Sequence, residues 1–131
     1  ARGYLDARAE AALKVYADWM RYNSRSIYGC TMAEPDLLKA LPPDCRMTQS
    51  LDGKRLYLHL FAYPFGHLLL RGLAGRVEYA QFLHDASEVR FTEGAVRHFS
   101  EGAAKADDLL VLELPPVRPG YLVPVIELFL R

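Results

Sequence analysis

The chain has 131 residues, 51 % of them apolar and 24 % charged, with sixteen basic and sixteen acidic side chains. That length can bury a core without disulfide or metal staples. The balanced charge, with neither sign in a block, argues against a nucleic-acid or anionic-membrane surface, and no apolar run approaches the roughly 18 residues of a bilayer-spanning helix.

Residues 1–22 read as one amphipathic helix. Gly3 permits a tight entry, and Asp6 places a carboxylate at the positive end of the helix dipole. Leu5, Ala9, Ala12, Leu13, Tyr16 and Met20 recur at helical spacing, widened by Val15 and Trp19, while Arg8, Glu10, Lys14, Asp18 and Arg21 take the other side. Asn23 and Ser24 end it. The stripe needs a partner surface larger than a small β-domain offers, so self-association through this helix is expected.

Residues 26–44 form a connector broken by Pro35, Pro42 and Pro43, with Ile27 and Tyr28 as anchors and a helical turn over 36–40. From residue 45 the pattern changes to strands. Residues 45–49 lead into Leu51-Asp52-Gly53-Lys54, whose Asp-Gly pair suits a tight hairpin turn. The return strand alternates, with Leu56, Leu58 and Leu60 on one face and Tyr57, His59 and Phe61 on the other. A turn over 62–66 precedes Leu68, Leu69 and Leu70. Further strands are expected over 77–83, 89–92, 109–114 and 122–130, with a loop over 93–107. The last strand is apolar on both sides apart from Glu127, which implies burial of both faces.

The fold class is therefore mostly β: an antiparallel sandwich of about seven to eight strands preceded by one amphipathic N-terminal helix. Its parts are the helix (1–25), the connector (26–44) and the β-domain (45–131). Cys30 and Cys45 match no zinc spacing and are read as reduced, semi-buried thiols. The absence of an initiator Met and of a signal-peptide pattern suggests a processed or excised piece. The expected location is cytoplasmic, with a secreted parent left open.

Several residues could carry chemistry. His84, Asp85 and Glu88 cluster near a turn, while Glu78, Glu113 and Glu127 lie within strands, where burial would raise a carboxyl pKa. The structural alternative is that the turn acids are solvated and the strand acids face water or pair with an Arg. Antiparallel pairing across the 62–66 turn would bring His59 and His67 together near Tyr57 and Tyr63, as a metal or sugar contact. No third ligand follows, so an interface role is preferred, with Tyr63, Pro64 and Phe65 as a projecting tip. Trp19, Tyr22, Tyr28 and Tyr57 could stack on a sugar, although Trp19 lies on the helix stripe and burial suits it better. Arg2 and Arg8 are read as a solvated helix start. No serine-hydrolase or nucleotide-binding pattern is present.

Five strings, in order, resemble the C-terminal part of glycoside hydrolase family 29, the α-L-fucosidases. They are Ala1-Arg-Gly-Tyr-Leu-Asp, Trp19-Met-Arg-Tyr-Asn-Ser-Arg-Ser-Ile-Tyr-Gly-Cys30, Lys54-Arg-Leu-Tyr-Leu-His-Leu-Phe-Ala-Tyr-Pro-Phe-Gly-His67, Gly72-Leu-Ala-Gly-Arg-Val-Glu-Tyr-Ala80 and Val123-Pro-Val-Ile-Glu-Leu-Phe-Leu130. The resemblance implies a sandwich that packs on a catalytic (β/α)8 barrel, with the opening helix as the last barrel helix. It implies a fucosylated glycan as partner of the intact enzyme, and neither metal nor cofactor. It also implies retaining hydrolysis by two carboxyl groups about 5–5.5 Å apart, both upstream of Ala1, so no catalytic residue is carried over. Whether the chain is itself an enzyme stays open. Two alternatives are a free-standing fucosidase that recruits His84, Asp85 and Glu88, and a non-catalytic carbohydrate-binding module.

Overall fold

The computed structural model describes residues 6–93, 109–119 and 123–131. Leu5, Arg2, most of the expected 93–107 loop and the expected strand start at Leu122 lie outside the described residues.

Helix α1 spans Ala7–Asn23, and Asp6 caps it by accepting the Ala9 amide at 2.9 Å. A single 3-10 turn, Ser24–Ser26, follows. Strand β1, Cys30–Met32, lies inside the segment read as connector. Helix α2, Pro35–Lys39, starts one residue earlier than expected because proline fits the first helical position, where no amide is needed.

The remaining strands are β2 (Cys45–Ser50), β3 (Arg55–Leu60), β4 (His67–Arg71), β5 (Val77–Phe82), β6 (Phe91–Glu93), β7 (Leu109–Glu113) and β8 (Val125–Leu130). Among the described residues they form two antiparallel sheets, ordered β1-β2-β3-β8-β5 and β4-β7-β6. The expected sandwich is present. Its main core joins Leu56, Leu58, Leu60, Ile126 and Leu128 of the larger sheet to Leu68, Leu70, Leu110 and Leu112 of the smaller.

The β2–β3 hairpin forms where expected, with Leu51 to Lys54 as its loop. Gly53 alone there takes a positive φ, +73°, and Asp52 Oδ1 ties the loop by accepting from Ser50 Oγ at 2.6 Å and the Lys54 amide at 2.9 Å.

The connection after β3 corrects the expectation of a second hairpin. β3 pairs with β2 and β8, whereas β4 pairs with β7 in the other sheet. Residues 61–66 thus cross from one sheet to the other. Pro64, which lacks an amide donor, interrupts any continuous ladder there.

The cysteines are free. Cys30 pairs with Ser50 and Cys45 with Leu60, at opposite ends of β2. Five residues of strand separate those ends by about 17 Å, too far for a disulfide.

Candidate functional site

The outward face of the larger sheet carries most of the polar chemistry. One cross-strand row runs Thr48, Tyr57, Glu127, Gln81. Glu127 is 0 % exposed. Its Oε1 accepts from Gln81 Nε2 at 2.8 Å and Arg25 Nη2 at 3.1 Å, and its Oε2 stands 3.6 Å from Arg55 Nη1. A carboxylate among the apolar residues of β8 is tolerable only with such partners. Burial first, then the adjacent Glu127 carboxylate, push the Tyr57 hydroxyl up to about 12. Glu127 therefore pairs with arginine, as the structural alternative for the strand acids expected. Glu78 and Glu113 are exposed.

The neighbouring row joins Arg46, His59 and Val125. His59 is buried, with Nε2 3.0 Å from Ser26 Oγ. The Ser26 hydroxyl donates to the Asn23 carbonyl at 2.7 Å and shares a hydrogen bond with the His59 ring nitrogen. Thr48 Oγ1 donates to the Ser26 carbonyl at 2.6 Å, and Trp19 Nε1 donates to the Val123 carbonyl at 2.7 Å. These bonds fasten the end of α1 and the 3-10 turn onto the sheet. Burial lowers the His59 pKa below its ordinary value.

Beyond that fastening, α1 leaves the sheet uncovered. A groove of ≈ 730 Å³ lies between them, with Ala12, Val15, Tyr16 and Trp19 on the helix side and His59, Phe61 and Arg46 on the sheet side. Leu13 and Tyr16 remain 53 % and 61 % exposed, so the helix stripe is largely unburied. A sugar site needs convergent hydrogen-bonding groups beside its aromatic walls, and this surface is overwhelmingly apolar.

The other candidates separate. His59 and His67 do not meet, because they sit in different sheets, His59 buried and His67 exposed at the start of β4. Each strand obeys its own alternation, but the partner strands differ from those inferred. Tyr63 does not project: its hydroxyl donates to the Pro115 carbonyl at 2.7 Å and its ring packs on the core. Phe65 does, at 94 % exposure. Trp19 is half-buried while Tyr57 is buried and Tyr28 exposed, so the four aromatics form no common platform.

His84 Nε2 lies 3.4 Å from Asp85 Oδ2, and Asp85 Oδ1 accepts from the Ser87 amide and hydroxyl. Burial raises the Asp85 carboxyl pKa, but those Ser87 bonds outweigh it and hold the group below its ordinary value. A general acid needs the opposite shift. Glu88 is exposed and pairs across to Gln81. Among the described residues, no three His, Cys, Asp or Glu side chains gather as a metal site, and no helix is long and apolar enough to cross a membrane.

Sequence reasoning missed Arg25, Ser26 and Asn23, which complete the fastening. The available signal was Glu127 itself, since a single acid in a doubly buried strand requires a cation nearby.

No family model matches the sequence, and comparison with curated proteins gives no match. Solved structures do match. Against α-L-fucosidase isoenzyme 1 of Paenibacillus thiaminolyticus the identity is 31 % and the TM-score 0.78, covering 99 % of this chain and 28 % of that one. Against the family 29 α-L-fucosidase of Bacteroides thetaiotaomicron the values are 18 % and 0.71, covering 98 % and 26 %. The fold is that of one part of a family 29 α-L-fucosidase. An α-fucosidase from Thermotoga maritima shares the fold at 15 % identity and a TM-score of 0.65, covering 96 % of this chain and 28 % of that one. The chain thus spans little more than a quarter of the fucosidases it matches.

Proposed function

We propose that this chain is the C-terminal β-sandwich part of an α-L-fucosidase, and that it acts as a docking and stabilising module without catalytic carboxylates of its own. The observation that carries this reading is the apolar groove between α1 and the sheet. Val15 and Tyr16, which line it, are 50 % and 61 % exposed, so covering them would add apolar burial at about 25 cal/mol per Å². A surface of that kind fits the body of a larger hydrolase, whose barrel would bring the nucleophile, the acid and the fucosylated glycan. In the isolated chain the same face is where copies associate.

The acids support a structural role. Glu127 is held by Arg25, Gln81 and Arg55, Glu34 pairs with Arg76 at 3.1 Å, and Asp52 and Asp85 serve turns. Retaining hydrolysis instead needs two carboxyl groups facing one anomeric carbon, one of them with a raised pKa.

An aryl α-L-fucoside assay of the purified 131-residue chain tests the reading. No turnover above buffer is expected. Turnover lost on replacing Asp85 and Glu88 by alanine would replace this reading with that of a free-standing hydrolase.

A further inference from the structure

Ser26 of the turn after α1 is held to the sheet by Thr48 and His59, and there are two further anchors of different chemistry. One is the Trp19 indole on the Val123 carbonyl. The other is Arg25, one residue into the 3-10 turn, whose Nη2 lies 3.1 Å from Glu127 Oε1. Ahead of these anchors, residues from Asp6 to Asp18 are exposed apart from a half-buried Ala9. The internal hydrogen bonds of a helix fix its shape and not its placement over a neighbouring surface. Its orientation must come from the anchors.

Glu127 is partnered from two sides. Gln81 and Arg55 belong to the sheet itself, and Arg55 also stacks over the Phe129 ring with its guanidinium carbon 4.6 Å from the centroid. Arg25 comes from the helical arm. Arg25 adds a second cation, and a charge-assisted hydrogen bond, to a carboxylate buried in the sheet, so the arm is drawn onto the sheet by a charge the sheet already holds.

We propose that the Arg25–Glu127 ion pair is a latch that sets the orientation of α1 over the sheet, and with it the width of the apolar groove. Glu127 acts as a positioning residue, through Arg25 and the turn, on a groove it does not line. With the pair formed, α1 and the sheet face each other across the groove. With the pair broken, the arm pivots near Asn23 and the groove opens. The proposal is independent of any catalytic reading of the chain.

Trp19 is the sole tryptophan of the sequence, so its emission reports the docking of the arm without added labels. Arg25→Ala removes the arm's partner and leaves Glu127 its two sheet partners. The expected result is a red shift of Trp19 emission and a fall in its anisotropy, with the β signal in circular dichroism retained. Arg25→Lys, which keeps a cation beside Oε1, recovers part of both. Arg55→Ala is expected to lower Tm while leaving the emission of the folded protein in place. Unchanged emission and anisotropy in Arg25→Ala would overturn the latch. So would an equal red shift in Arg55→Ala, since Glu127 would then serve only the stability of the sheet.

Discussion

The indole of Trp19 donates to the backbone carbonyl of Val123 at 2.7 Å, joining the last turn of the opening helix to the chain just ahead of the final strand across 104 residues of sequence. This bond makes Trp19 a fastener rather than a passive member of an apolar stripe. Trp19→Phe keeps most of the ring contact and leaves the carbonyl without that donor. A loss of about 1 kcal/mol is expected from equilibrium urea unfolding. A change within error would mean that solvent replaces the bond at no cost.

Acid should weaken the same region through His59. Burial holds its folded-state pKa below the ordinary value, so the unfolded chain takes a proton more readily than the folded one. Stability is therefore full above the ordinary imidazole pKa of about 6.5 and falls as the pH drops below it. The depressed carboxyl groups Asp52 and Asp85 act in a separate window, near and below the ordinary carboxylate range. Unfolding curves between about pH 7.5 and 5 should show the decline, and His59→Gln should flatten it. An equal decline in that variant would assign the effect elsewhere.

Core and helix-stripe leucines should respond very differently to the same truncation. Leu58 is fully buried between the sheets, while Leu13 is 53 % exposed. Leu58→Ala is expected to cost about 2–5 kcal/mol, and Leu13→Ala less than about 0.5 kcal/mol. Comparable losses at both sites would show that α1 buries its stripe within the monomer in solution.

The uncovered groove face gives a test of association. Sedimentation velocity at tens of micromolar, roughly where modest interfaces are populated, should show species larger than the monomer. Tyr16→Glu, which puts a charge on the groove wall, should restore the monomer. A wild-type chain that sediments as a sharp monomer would remove self-association.

Much of the fold was legible because the relevant signals are local. The alternation of Leu56, Leu58 and Leu60 with Tyr57, His59 and Phe61 gave the two faces of β3 correctly. Asp52-Gly53 marked the hairpin loop, although only Gly53 of that pair takes a positive φ. The capping of α1 by Asp6 was equally local. The false neighbourhood of His59 and His67 came from treating adjacent strands as paired. His59 instead lies beside Arg46 and Val125, and Val125 is 66 residues away in sequence.

The sequence by itself determined the strand and helix periods, the doubly buried character of the final strand and the unmatched apolar stripe of α1. Each follows from side chains a few residues apart, whose polarity marks which face turns from water. The tertiary structure alone decided that β8 lies between β3 and β5, that Arg25 answers Glu127, and that α1 stands off the sheet over an apolar groove. The physical reason is that apolar strands are chemically interchangeable as neighbours. Which of them pair is settled by closure of one shared core, and only that closure brings distant charges into contact.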